Sequence, residues 1–348
     1  MQVFLILTLI GSGCSSQNQI DKKKVDLNEF GLDTFPMTAS IRAIETIDEN
    51  TVWFAGSNGQ YGYTKNGGKN WMIDSMVIDS LPDLQFRSIA VTEEAVFILS
   101  ISTPALLFKS VNEGSDWDLV YRENHPKAFY DAMAFWDETY GIAMGDPTED
   151  CISIILTKDG GNHWNKIECS KLPQAMEGEA AFAASNSNIA LSGDYAWIVT
   201  GGSASRVFHT PDRGESWEVF DTPIVSGGQM TGVYSVDFYD GQNGIIFGGD
   251  WNDKASNRGN KAITRDGGKS WDLVSDGVGP GYRSCVQYLP GQGPEQIIAV
   301  GSPGISFSQN GGKDWKMISE EGFYTVRVIP TGGAAWLAGD KKIALMTW

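Results

Sequence analysis

The chain has 348 residues, of which 41% are hydrophobic and 20% charged, enough to bury a full core in one all-β unit. Its 26 lysines and arginines face 43 aspartates and glutamates, a net charge of −17. That balance argues against nucleic acid as a partner and against broad contact with anionic lipid, since both need a cationic surface.

At the N-terminus, Val3–Ile10 is an apolar run too short to span a bilayer. It is followed by Gly11-Ser12-Gly13 and Cys14, and the whole resembles a lipoprotein signal. The resemblance implies a signal peptide over residues 1–13, acylation of Cys14 and a lipidated tether over residues 14–35, with the protein held in the periplasm or at the outer membrane. Membrane contact would then run through the N-terminal lipid only. Within the tether, Asp26–Phe35 is available as a closing strand for the domain over residues 36–348.

From residue 64 onward one phrase recurs six times: Ser or Thr, any residue, Asp or Asn, any residue, Gly, two residues, Trp. The copies are Thr64–Trp71, Ser110–Trp117, Thr157–Trp164, Thr210–Trp217, Thr264–Trp271 and Ser308–Trp315. Their tryptophans lie 46, 47, 53, 54 and 44 residues apart. Each copy has the chemistry of a tight turn. The side chains of Asn66, Asn112, Asp159, Asp212, Asp266 and Asn310 can accept backbone N–H bonds, and the Gly admits positive φ. A fixed period of this size with strand-like sequence between copies predicts a radial array of small sheets.

The first blade reads Ser40–Ile47, Thr51–Ala55, Gln60–Thr64 and Trp71–Ser75, and the same order recurs around Phe86, Tyr130, Ala181, Tyr234 and Arg283. After the sixth copy come Tyr324–Pro330, Ala334–Ala338 and Lys342–Thr347, three strands that lack a turn phrase. With Asp26–Phe35 as a fourth strand, the count predicts an all-β, seven-bladed propeller of four-stranded blades, with six blades as the alternative.

The turn phrase resembles the Asp-box, or bacterial neuraminidase repeat, of sialidase-like propellers. The spacing is most similar to the propellers of the photosystem II assembly-factor family and its bacterial relatives. Because such repeats occur in enzymes and in binding proteins, the resemblance implies a fold and leaves the activity open.

Cys151 and Cys169 sit nine residues either side of Gly160, the centre of the third turn, so they face each other across a hairpin. Either a disulfide or two buried thiols fits that placement, and Cys285 reads as packing. His125, His163 and His209 are scattered, so no metal site is expected, and no cofactor either.

Aligned by turn and apolar pattern, the residues that begin each inner strand are Arg42, Arg87, Asp131, Ala180, Tyr234, Arg283 and Arg327. Four arginines thus converge on one channel mouth of an acidic protein, opposite the repeat turns. Guanidinium groups suit fork-like binding of carboxylate or phosphate, so the cluster reads as an anion site. The competing reading is a structural network with Glu45, Asp131, Asp250 or Asp340. Nearby loops add Glu179, Asp250 and Trp251.

Two functions follow. A non-enzymatic propeller would bind an anionic small molecule, an acidic glycan or a segment of a partner protein, as the assembly-factor resemblance implies. Alternatively, a sialidase-like glycosidase would hold a substrate carboxylate with arginines and use Tyr234 with Glu179 as nucleophile pair and Asp131 as acid.

Overall fold

The inner strands bury both faces and the outer strands almost none, and this gradient sets the architecture. Val52–Gly56, Val96–Ser100, Gly141–Gly145 and Ile297–Gly301 are buried at every residue, whereas Met72–Ser75 is exposed throughout. Continuous apolar runs of this kind belong to strands covered on both sides, here by the neighbouring sheets of a radial array. The computed structural model describes Val25, residues 29–78, Leu81 and residues 83–348. The signal segment, Cys14 and most of the tether lie outside the described residues.

The strands form six antiparallel sheets. Four have four strands each, beginning with Phe86–Val91, Tyr130–Phe135, Ile189–Ser192 and Cys285–Tyr288. Two have six, and one of these corrects the expected count of seven blades to six. The strand Gly31–Thr46 is 16 residues long and serves two neighbours. Its first part, Gly31–Pro36, pairs with Thr347–Lys342, and its second, Ile41–Thr46, pairs with Gly56–Val52. Ala334–Thr347 likewise pairs with Thr325–Val328 through its first half. The strands after the last repeat turn are therefore hydrogen-bonded into the first blade rather than forming a seventh. The second six-stranded sheet extends Thr231–Phe238 inward through Gly201–Gly202 and Glu179–Ala180.

The pairing of Gly31–Pro36 with the C-terminal strand leaves no free sheet edge at the seam. Phe35 fixes it, packing on Trp71 and Trp336 with ring centroids 5.8 and 5.9 Å away.

All six repeat turns share one hydrogen-bond pattern. In the fifth, the Thr264 hydroxyl donates to Asp266 Oδ1 at 2.7 Å and accepts from Gly268 N–H at 3.0 Å, while Ser270 N–H donates to Asp266 Oδ1 at 3.0 Å. The turns also join blades. Tyr61 donates its hydroxyl to Gly114 O, Lys109 Nζ to Gly160 O, and Trp197 Nε1 to Gly267 O, each reaching from the preceding sheet. Gly161 has φ 76°, and a Cβ there would lie 2.3 Å from the Phe97 ring of that sheet. The turn glycine is thus required by backbone conformation and by blade packing together.

Cys151 and Cys169 are joined by a disulfide, and Cys285 is buried and free.

Burial alone would raise the Asp266 carboxyl, but bonds from Ser270, Thr264 and Lys269 outweigh it and hold it down at about 2. A depressed carboxyl stabilises the fold above its unfolded value near 4 and loses that contribution as pH falls through about 2. Asp266→Asn should therefore keep the fold at neutral pH and flatten the acid limb of the stability curve. Asp266→Ala, lacking the acceptor, should cost about 1 kcal/mol at pH 7 by urea denaturation. Equal losses in both variants would contradict this account of the turn.

Candidate functional site

Four inner strands slip register by one residue at the same place. The unpaired residues are Arg42, between Ile41 and Ala43, Arg87, between Phe86 and Ser88, Asp131, between Tyr130 and Ala132, and Tyr234, between Val233 and Ser235. A bulge re-aims its extra side chain, and here it supplies the residues around the mouth of the axis. Arg42 lies over the Tyr324 ring, its Cζ 3.9 Å from the centroid. Arg87 is half-buried next to Arg42 and donates to Ala183 O at 3.4 Å. Burial, then repulsion from Arg42, lowers the Arg87 guanidinium to about 10, against the opposing pull of Asp131 and Tyr324.

An aromatic wall completes the mouth. Tyr234 stacks on Phe182 at 3.9 Å, meets Tyr282 edge-on at 4.8 Å, and Tyr282 in turn meets Trp251 at 5.5 Å. Lys254 Nζ lies 3.9 Å from the Trp251 ring centre. The Tyr282 hydroxyl is fully buried and makes no hydrogen bond.

Below the mouth, residues 183–188 cross the axis where an inner strand around Ala181 was expected. The Asn186 side chain donates to Ile89 O at 2.8 Å and accepts from Met133 N–H at 3.0 Å. Ser185 donates to Ser284 O at 2.6 Å, Ser187 to Ser235 Oγ at 2.8 Å, and Thr325 to Ser185 O at 2.9 Å. This plug closes the channel, so the mouth is a bowl rather than a pore.

The other expected site residues lie elsewhere. Arg283 is buried inside its own blade, with Nη1 on Tyr282 O and Nη2 on Ser306 Oγ, both at 2.8 Å. Arg327 sits beneath the plug, donating to Asn186 O at 2.7 Å and pairing with Glu45 at 3.4 Å. There it lines a cavity of about 260 Å³ with Glu45, Asp237 and Gln287. Burial raises the Asp237 carboxyl to about 7 in spite of bonds from Tyr288 and Phe238 N–H. Ala180 pairs with Gly201 and carries no functional group.

The Tyr234–Glu179 pair required by the glycosidase reading is not formed. The Tyr234 hydroxyl donates to Met230 O at 2.9 Å, and burial raises its pKa. Glu179 is taken up by a buried ion pair with Arg206, by the Thr200 hydroxyl at 2.6 Å and by Met176 N–H at 2.9 Å. Asp131 is fully buried, and neither oxygen has a well-formed hydrogen bond, the Ala183 N–H being a weak donor to it. Burial and repulsion from Asp146 push its carboxyl well up, against the pull of Arg87 and the Ala183 N–H.

Residue spacing did not reveal the plug or the roles of Tyr282 and Tyr324. The plug had one visible sign: Ala183-Ala184-Ser185-Asn186-Ser187-Asn188 is small and polar where the other blades place bulky apolar residues.

The sequence matches no protein-family model and no curated protein. Solved structures match its fold. YCF48 bound to D1 peptide superposes with a TM-score of 0.66 at 17% identity, covering 93% of this chain and 98% of that one. YCF48 from Cyanidioschyzon merolae gives 0.64 at 12%, covering 91% and 98%. U3-55K gives 0.61 at 11%, again covering 91% and 98%. At these identities the likeness establishes a β-propeller.

Replacing Glu179 by Gln leaves Arg206 buried without its counter-charge. The expected loss is about 3 kcal/mol in urea denaturation. Unchanged stability would contradict the assignment of Glu179 to structure.

Proposed function

We propose that this protein is a non-enzymatic propeller that captures an anionic segment of a partner protein at the mouth formed by Arg42 and Arg87. One observation carries the reading. The arginine ion pairs among the described residues belong to Arg206, Arg213 and Arg327, and neither mouth arginine takes part in one. Two guanidinium groups side by side repel each other, and an incoming anion relieves that repulsion while gaining charge-assisted hydrogen bonds. In a chain of net charge −17, with acids in excess, two adjacent arginines without an ion-pair partner stand out. The plug supports the same reading, because a closed bowl receives a side chain or a short segment at its surface. The likeness to YCF48 bound to D1 peptide agrees with capture of a protein segment.

The placement proposed with this function is outside the cytoplasm, tethered through a lipidated Cys14. The Cys151–Cys169 disulfide supports it, since such bonds persist in oxidising compartments. Globomycin sensitivity of processing, with loss of membrane association in Cys14→Ala, is the corresponding test.

Binding is tested with a fluorescein-labelled hexaglutamate peptide at low ionic strength. Arg42→Ala with Arg87→Ala should weaken capture by roughly a hundredfold or more, at about 1.5–3 kcal/mol per charged contact. The fold should persist, with melting temperature equal or higher as the repulsion is removed. Lys69→Ala, on the repeat-turn face, should bind as the unaltered protein does. Equal affinity in the double variant would overturn the assignment.

A further inference from the structure

Two carboxyl groups stand behind Arg87. Asp131 is the bulged residue of Tyr130–Phe135, fully buried and without a well-formed hydrogen bond, and Asp146 follows Gly141–Gly145, where its Oδ1 accepts Ala181 N–H at 2.7 Å. The groups facing the pair can be named from each side. Arg87 approaches from the neighbouring sheet and the Ala183 N–H from the plug. Beyond Arg87 lie Arg42 and Tyr324. On the outer side Asp146 lines an open groove with Lys127, Glu149, Asp150, Glu177 and Glu179. Within this set Arg87 is the cation that pulls on Asp131.

This arrangement gives Arg87 two alternative counter-charges. An ionised Asp131 would supply one from inside the protein, whereas a protonated Asp131 leaves the guanidinium to the mouth. We infer that the mouth takes up its acidic segment together with a proton, ionised Asp131 being the internal carboxylate that competes for Arg87 and Asp146 the neighbour that sets where Asp131 ionises. The inference rests on the binding function proposed above and adds its regulation: capture strengthens as pH falls.

The titration range fits. Burial raises Asp146 to about 6 despite the Ala181 N–H, and burial plus repulsion from Asp146 pushes Asp131 well up. Two carboxyls that repel each other titrate as a unit, releasing their protons in separated steps. Hexaglutamate remains ionised across that range, so a pH effect on its capture reports on the protein.

The experiment measures hexaglutamate affinity from pH 5.5 to 8.5 at constant ionic strength. The unaltered protein should lose roughly tenfold in affinity over that interval, the effect of one internal charge at the site. Asp131→Asn, an uncharged isostere, should bind tightly throughout with a flat profile. Asp146→Asn removes the repulsion that raises Asp131, so its transition should move to lower pH. The ligand-free proteins give a second readout. A raised carboxyl stabilises the fold below its unfolded value and loses that contribution as pH rises through the folded one. The melting temperature should thus fall between pH 5.5 and 8.5, and less so in Asp131→Asn.

Capture that does not vary with pH, or that varies equally in Asp131→Asn, would overturn the proton coupling while leaving the binding function standing. Failure to bind at every pH would overturn both.

Discussion

Asn186 is the constraint on which the axis of this molecule depends. With φ 54° it turns the chain across the channel in a conformation that asparagine tolerates better than most residues. Its side chain then bonds to two inner strands, and its carbonyl receives Arg327. With Ser185 and Ser187 it ties the segment to five sheets besides the one it leads into. Small side chains are needed because the inner strands converge there. A propeller whose axis is stitched in this way offers two unequal bowls rather than a passage.

The two bowls differ in charge. Beneath the plug Arg327 is neutralised by Glu45, and Asp237 shares the space, so the cation there is spoken for. Above it, Arg42 and Arg87 lie beside an aromatic wall, and Asp131, the acid next to Arg87, is disfavoured as an anion by burial. The same residue type thus serves structure at one end and remains available at the other. Register sets the difference. Arg42 and Arg87 are bulged residues turned to the mouth, whereas Arg327 is regularly paired with Trp336.

Much of the fold was legible because its repeat turns are local chemistry: a hydroxyl, an acceptor, a glycine and a tryptophan at fixed spacing. The outer part of the site was legible for a similar reason, since Arg42 and Arg87 begin apolar strands 22 and 23 residues before their repeat turns. The blade count was not. Whether Gly31–Thr46 closes a separate sheet or joins the C-terminal strands to the first one is decided by pairing across the whole chain, which local spacing does not encode. Arg327 and Arg283 were misplaced because alignment by apolar pattern cannot register a missing bulge or a side chain turned into its own blade. The plug escaped because a polar, small-residue segment reads as a loop, and loops are expected at the surface.

The central claim is that Arg42 and Arg87, and not the other arginines, meet the ligand. Its most direct test is an NMR titration of arginine Nε–Hε signals with hexaglutamate. Signals of Arg42 and Arg87 should shift in step with binding while those of Arg283 and Arg327 stay in place. Shifts at Arg283 or Arg327, or saturation of binding with Arg42 and Arg87 unmoved, would contradict the account.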